Sequence, residues 1–406
     1  MEGDGGAEIS GVQPDSRRVK PGDLFVAVPG IRADGYAFIA DAVAAGAAAV
    51  AVQPDAQVPD GVAAVRVPST RSALGELAAE FYGRPARRLR VAGITGTDGK
   101  TTTTHMAEHV LQAGGIVAGA MSTIAYSVAG RESDNTSGQT TIEADQIQAW
   151  LKQMVDAGVR CAVIETTSHA LVQERVNACD FDVAAFTNVG HDHLDYHATW
   201  EEYLEAKARL IDLAAKAADK GIEKTAVLNR DDPSYERLSH RAISRRWSYG
   251  LTTAADLHPL ELGITDTGSH FRLKTPLGET HVTLAVPARF NVYNAMCAAG
   301  VCLALGVPLE DVGKGLASFE GVRGRLERVD LGQDFRVFID FAHSAGALAS
   351  ALAELRPFTQ GRLIVVFGST ARSDSRSRSA SGDRAPRAAR RSRRSAPRRS
   401  SPRTTG

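Results

Sequence analysis

The chain reads as a mixed α/β protein, in which a small N-terminal α/β domain precedes a central doubly wound domain of the P-loop type. Three observations predict this. Short apolar runs of strand length alternate with helical stretches along the first 300 residues. The runs are nearly continuous in apolar residues, as strands of a buried parallel sheet are. The segments just after them are rich in polar and ionisable residues, where open α/β sheets hold their ligands. At 406 residues there is room for two or three domains.

In chain order, "GDLFVAVPG" and "AAVAVQP" read as strands of the first domain, and "STRSALGELAAEFYG" as the helix that closes it. A boundary is expected near Pro85. "RLRVAGIT" then opens the central domain as a strand, and "KTTTTHMAEHVLQAGG" follows as a helix stopped by Gly114 and Gly115. "RCAVIET", "FDVAAFTNV" and "KTAVLN" supply further parallel strands. The residues to inspect after these runs are Gly96 to Thr102, Glu165 to His169, His191 to His197 and Asn229 to Asp232.

Composition removes several classes of function. The longest apolar run, Ala42 to Val52, is too short to cross a bilayer, so no membrane segment is expected. The acidic N-terminus lacks the basic and apolar regions of a secretory signal. Cys161, Cys179, Cys297 and Cys302 show no CxxC or zinc-type spacing and read as reduced core thiols. A cytoplasmic location follows from these features.

The formal charge of zero conceals an asymmetry. Residues 371–406 contain twelve Arg, two Asp and no Lys, which puts the tail at +10 and the preceding 370 residues at −10. The tail has no Val, Ile, Leu, Met, Phe, Trp or Tyr, so it is expected to be disordered. It reads either as an RNA-binding or acid-binding arm or as the product of a shifted reading frame over GC-rich codons. The abrupt change after the strand-like "RLIVVFGS" favours the shifted frame.

The segment "GTDGKTT" has the working parts of a phosphate-binding loop. Gly96 and Gly99 allow backbone N–H groups to turn inward, Lys100 supplies a point charge, and the following helix adds its N-terminal dipole. Thr97, Asp98 and Thr102 complete the loop, and the Thr101 hydroxyl stands where it could reach Mg²⁺. The spacing differs from the usual P-loop, which would have Gly where this chain has Ile94.

Six stretches in order, "GITGTDGKTTT", "ETTSHALVQERV", "FTNVGHDHLDYHATWEEYLEAKARL", "NRDDP", "RFNVYNAMCA" and "GVRGRLERV", resemble the Mur ligases. The N-terminal "DSRRVKPGDLFVAVPG" module resembles that of the MurE type. The likeness runs from residue 11 to about 365. It implies an ATP-dependent amide ligase of peptidoglycan synthesis, which adds a third amino acid to UDP-N-acetylmuramoyl-L-alanyl-D-glutamate through an acyl phosphate.

Carried onto this sequence, the resemblance implies catalytic roles for Lys100, Glu165, His193 and Lys207. Mg²⁺ would be held by Thr101 and Glu165, with a second ion near His193 and Lys207, the latter carbamylated by CO₂. From its residues alone, Glu165 could instead be a structural ion-pair member, His193 a capped loop histidine and Lys207 a solvated helical lysine. Asn294 and Arg325 would serve ATP, with Ala288 standing where the family commonly has Gly. Ser16, Thr140, Thr141, Ser168, Gln173 and Arg175 would hold the UDP-linked substrate, although the hydroxyl residues could also be loop caps. "QTTIEA" departs from the family's Asn-Thr-Thr-Pro.

The resemblance implies domains at 1–86, 87–327 and an incomplete Rossmann-like third domain at 328–370, followed by the tail at 371–406. In that third part "VFIDFAHSAGAL" keeps Asp340 and His343 and loses the family's Thr-Pro. Only about forty residues of that domain precede the tail, too few for a closed core, so 328–370 should pack poorly and turnover should be impaired; the Asp-Asn-Pro-Arg motif that selects the amino acid is also absent. A monomer is the expectation. A non-catalytic nucleotide or UDP-sugar binder, RNA-associated through the tail, stays open as the alternative. A folate polyglutamate ligase is disfavoured by the N-terminal module.

Overall fold

The computed structural model describes residues 6–30, 34–190 and 196–368. His193 and the Arg-rich segment 371–406 lie outside the described residues, as does the expectation of disorder placed on that segment.

The chain begins with a four-stranded parallel sheet in the order β1 (Gly11–Gln13), β2 (Asp23–Val26), β3 (Ala49–Val52), β4 (Ala63–Arg66). Helix α1 (Ile39–Ala44) links β2 to β3, and α2 (Thr70–Phe81) follows β4. The Ser69 hydroxyl caps α2 by accepting from the Ser72 N–H. Val12, Leu24, Val26 and Leu74 form one apolar layer, and Ile39, Ala42, Phe25 and Val50 the other. A 3₁₀ turn over Pro85–Arg88 leads out of this unit.

The central sheet has eight strands. They are β5 (Arg90–Thr95), β6 (Ala118–Met121), β7 (Ala125–Val128), β8 (Arg131–Asp134), β9 (Cys161–Glu165), β10 (Val183–Phe186), β11 (Thr225–Asn229) and β12 (Arg245–Tyr249). Their order is β12-β11-β10-β5-β9-β6-β7-β8, parallel from β12 to β6 and antiparallel beyond. Helix α3 (Lys100–Ala113) packs on one face; α4 (Ala144–Asp156), α5 (Ser168–Val172) and α6 (Trp200–Lys216) pack on the other. The short α7 (Tyr235–Leu238) precedes β12. Every side chain of β10 is buried, which accounts for its unbroken apolar reading.

An antiparallel sheet, β13 (His258–Ile264), β14 (Ser269–Thr275) and β15 (Gly278–Leu284), adds to the α3 side. Helix α8 (Arg289–Ala304) runs through the core on that side, with thirteen buried residues, and α9 (Leu309–Ala317) closes it. The first unit meets the second where α2 lies on α4. A Cβ at Gly75 would stand 3.6 Å from that of Ala144.

The last described part is small. A hairpin of β16 (Glu327–Val329) and β17 (Val337–Ile339) is followed by α10 (Ala345–Leu355), which the Ser344 hydroxyl caps. Ala351 packs on Ala288 and Leu326, and little else there is buried. Leu331, Phe335, Ile339, Phe341, Ile364, Val366 and Phe367 are all exposed, so the described residues of 328–370 pack loosely, as expected of that stretch. "RLIVVFGS" is a correction: residues 362–368 join no ladder, because no neighbouring strand among the described residues offers them one.

All four cysteines are buried and unbridged. Burial pushes the thiol of Cys161 up to about 11 and that of Cys297 up to about 12, so these are core groups and not nucleophiles. No described helix is long and apolar enough to cross a membrane.

Candidate functional site

Strand β5 lies at the centre of the eight-stranded sheet, where neighbouring connections run off to opposite sides, and its C-terminal end opens into the loop 96–99. Gly96 has φ +150° and Gly99 has φ +82°. A Cβ at Gly96 would collide with the Thr187 hydroxyl, and one at Gly99 with Asn294 Oδ1, so both positions require glycine on backbone and steric grounds.

The loop is pinned from β10. The Thr97 N–H donates to the Asn188 carbonyl at 2.8 Å and the Asp98 N–H to Asn188 Oδ1 at 3.0 Å. Thr187 Oγ1 and Asn188 Nδ2 both donate to the Asp98 carbonyl, at 2.6 and 3.0 Å. Thr97 Oγ1 accepts from the Gly190 N–H at 2.9 Å and meets the Tyr203 hydroxyl at 3.2 Å. Lys100 Nζ curls over the loop to the carbonyls of Gly96 and Thr97 at 3.0 and 2.8 Å.

Next to the loop stands a buried carboxylate. Glu165, at the end of β9 and 1% exposed, accepts from Thr101 Oγ1 at 3.1 Å, from the Thr123 N–H at 2.8 Å and from Thr123 Oγ1 at 3.0 Å. A buried carboxylate needs such partners, and none here is a salt bridge. Arg325 Nη2 also donates to Thr101 Oγ1 at 3.1 Å, and its guanidinium stacks 4.7 Å over the Phe341 ring. Among the described residues no group of three His, Cys, Asp or Glu converges as a metal centre. The Glu165 carboxylate and the Thr101 hydroxyl are hard oxygens of the kind Mg²⁺ takes when phosphate and water complete its shell.

Lys207, read from composition as a solvated helical lysine, is 1% exposed. Its Nζ donates to the Gly96 carbonyl at 2.7 Å and lies 4.3 Å over the Tyr203 ring. Lys207 is therefore not a solvated helical lysine, and its amine stands beside the loop.

A cavity of about 330 Å³ opens beyond the loop, lined by Asp98, Gly99, Thr102, Asn294, Arg325 and Phe341 among others. Asn294 is buried within α8; its Oδ1 accepts from Thr103 Oγ1 at 3.3 Å and its Nδ2 donates to Asn291 Oδ1 at 3.1 Å. Its amide therefore braces α3 as well as lining the cavity. His343 and Asp340 also line it, and Asp340 Oδ2 accepts from the Leu326 N–H at 2.7 Å.

On the other side of Glu165 lie the residues expected to hold the UDP-linked substrate. Thr140 Oγ1 is 3.1 Å from Thr123 Oγ1, and Thr141 Oγ1 donates to the Glu165 carbonyl at 2.8 Å. Arg175 donates to the Thr141 carbonyl at 2.7 Å and to Gln173 Oε1 at 2.6 Å, and pairs with Glu143 at 3.1 Å. Burial pulls the Arg175 pKa below its usual value, with the Glu143 charge opposing, and its Nε has no hydrogen-bond partner among the described residues. Ser168 Oγ meets His197 Nε2 at 3.1 Å. Ser16 sits apart in a 3₁₀ turn of the first unit, whose N-cap is Asp15.

Sequence reasoning missed Thr123, Thr187, Asn188 and Tyr203. Thr187 and Asn188 follow an apolar run just as Gly96 does, and that position was the signal available for them.

The model of the Mur ligase middle domain matches residues 94–302, that of the Mur ligase family catalytic domain residues 8–82, and that of the Mur ligase glutamate ligase domain residues 324–401. The last match runs beyond Ser369, past the expected end of the likeness. The UDP-N-acetylmuramyl-tripeptide synthetase of Roseiflexus sp. (strain RS-1) is 44% identical over 387 residues, covering 93% of this chain and 76% of the relative. The UDP-N-acetylmuramoyl-L-alanyl-D-glutamate--2,6-diaminopimelate ligase of Bacillus licheniformis is 39% identical over 363 residues, covering 89% and 73%. A solved structure of a ligase of that same name superposes with a TM-score of 0.74 at 27% identity, over 92% of this chain and 76% of the other.

Proposed function

The chain belongs to the Mur ligase family, and from that premise we propose that it is an ATP-dependent amide ligase of peptidoglycan synthesis, adding the third amino acid to UDP-N-acetylmuramoyl-L-alanyl-D-glutamate. The observation that carries this reading is the position of Glu165. Its carboxylate shares Thr101 with the phosphate-type loop and, through Thr123, touches the Thr140–Thr141 segment. A carboxylate bound beside that segment would face a γ-phosphate bound at the loop.

A carboxylate does not acylate an amine at neutral pH, so it must first gain a leaving group. Its oxygen attacks the γ-phosphorus and ADP departs, giving an acyl phosphate. The amine of the incoming amino acid then attacks the acyl carbon, inorganic phosphate leaves, and the amine loses a proton. Both acceptor and donor are anions, so positive charge and N–H groups must gather around them. The Lys100 ammonium and the loop N–H groups meet the β and γ phosphates, with the α3 N-terminus behind them.

Gly96, Thr97, Asp98, Gly99, Thr101 and Thr102 shape that cradle, while Asn294 and Arg325 border the cavity for base and ribose. Thr101 and Glu165 are the described residues that would hold Mg²⁺, which when bound neutralises phosphate charge. His193, and Lys207 as its carbamate, would serve a second ion. Ser16, Thr140, Thr141, Ser168, Gln173 and Arg175 would take the UDP-linked substrate, with Arg175 suited to an anion. The chain is read as a cytoplasmic monomer with divisions near residues 86, 327 and 370.

A non-catalytic binder is not favoured, since the relatives matched over most of the chain are named as ligases. The test is direct. The full chain is incubated with ATP, Mg²⁺, the UDP-linked dipeptide and, in turn, diaminopimelate and lysine. Substrate-dependent phosphate release with a UDP-tripeptide product is expected; no product with any amino acid would overturn the reading.

A further inference from the structure

Thr123 follows β6 and belongs to none of the motifs read from the sequence, yet it touches both halves of the site. Its N–H donates to Glu165 Oε2 at 2.8 Å. Its hydroxyl lies 3.0 Å from each carboxylate oxygen, 3.1 Å from Thr140 Oγ1 and 3.5 Å from Thr101 Oγ1. We infer that Thr123 is a positioning residue that couples the nucleotide side of the site to the segment holding the UDP-linked substrate. The inference rests on the ligase reading given above.

The number of protons available fixes how these groups can pair. A threonine hydroxyl has one proton to give and two lone pairs to receive with, whereas an ionised carboxylate only receives. Thr123 therefore has one proton for three neighbouring acceptors: the two oxygens of Glu165 and the hydroxyl of Thr140. While Glu165 takes it, Thr140 must turn its own proton toward Thr123. When the carboxylate is occupied from the nucleotide side, the Thr123 proton is released toward Thr140, whose hydroxyl then reverses and is free to donate or accept elsewhere.

Thr140 adjoins Thr141, whose carbonyl holds Arg175, so the orientation of this segment reaches the guanidinium that would meet the anionic substrate. The backbone donation from Thr123 keeps Glu165 in place in either arrangement. Occupancy at one half is thereby felt at the other, and such coupling is reciprocal.

Calorimetric titration separates this role from a merely structural one. The affinity of the full chain for the UDP-linked dipeptide is measured with and without Mg²⁺ and a non-hydrolysable ATP analogue. The unmodified chain is expected to bind the dipeptide roughly five-fold or more tightly with the nucleotide present. Thr123→Val, which keeps shape and the backbone N–H, should bind each ligand alone but lose that factor, and Thr123→Ser should retain it. If the valine variant does not fold, Thr123→Ala also removes the hydroxyl while keeping the backbone N–H, and should show the same loss.

Unchanged coupling in a folded Thr123 variant that lacks the hydroxyl, or none in the unmodified chain, overturns the inference and leaves the ligase reading standing. An unmodified chain that binds neither ligand overturns both.

Discussion

The ammonium groups of Lys100 and Lys207, 107 positions apart in the chain, converge on one acceptor, the carbonyl of Gly96, at 3.0 and 2.7 Å. Before any carbamylation of Lys207, two like charges drawn onto one carbonyl make the mouth of the loop attractive to an anion. Lys100→Ala removes the charge nearer the phosphates while leaving Lys207 in place. Nucleotide affinity should fall roughly 10- to 100-fold, as expected for one charged hydrogen bond. Fluorescent-nucleotide titration checks this, and unchanged affinity would refute the assignment of the loop.

Ala288 holds φ +81° and ψ 141° immediately before α8, a conformation that suits glycine. Its buried methyl packs on Leu326 and Ala351, which recovers part of the strain. Ala288→Gly should therefore stabilise the chain modestly, by about 1 kcal/mol, the relief of strain exceeding the lost methyl contact. Urea denaturation reads the midpoint, and a lower midpoint in the variant would show the methyl contact to be worth more than the strain.

Asp145, in the first turn of α4 beside α2, is 5% exposed, and its Oδ1 has no hydrogen-bond partner among the described residues. Burial pushes its pKa up to about 6, against opposing help from the Arg18 charge and the helix N–H groups. Because the folded value lies above the unfolded one, the native state gains most below about pH 4, and that gain is lost as pH rises through 6. A shift of this size corresponds to about 3 kcal/mol. Asp145→Asn should flatten the pH dependence between 4 and 6 and raise stability at pH 7.5. Equal pH slopes in the two proteins would count against it.

The exposed segment with Ile364, Val366 and Phe367 is the kind of surface that drives self-association. Ile364→Lys with Val366→Lys should lower the aggregation rate at 37 °C by a clear multiple while moving the unfolding midpoint by under about 0.5 kcal/mol, as surface changes do. Light scattering and denaturation together decide it, and a large loss of stability would mean that these side chains are packed in solution.

Strands β5, β9, β10 and β11 of the central sheet were legible because they are buried on both faces and read as nearly unbroken apolar runs, as in "FDVAAFTNV", whereas β8 is exposed throughout and was not. The β13–β15 sheet was not, since its strands mix exposed and buried positions and a bulge near Leu260 interrupts the alternation. The loop from Gly96 to Thr101 was readable from its glycines and lysine. Thr123 was not, because a threonine after a short strand acquires meaning only when β9 places Glu165 beside it. "RLIVVFGS" has a strand's composition, yet composition alone cannot supply a neighbour to pair with.

The contacts that complete the site come from far along the chain: Thr101 meets Glu165, Thr103 meets Asn294, and Thr101 again meets Arg325, 224 positions downstream. During synthesis the loop leaves the ribosome long before these partners do. Domains fold as units while the chain emerges. A nascent chain stopped short of Arg325 would own every glycine of the loop and still lack the surroundings that make it a nucleotide site, so competence to bind arrives late and all at once.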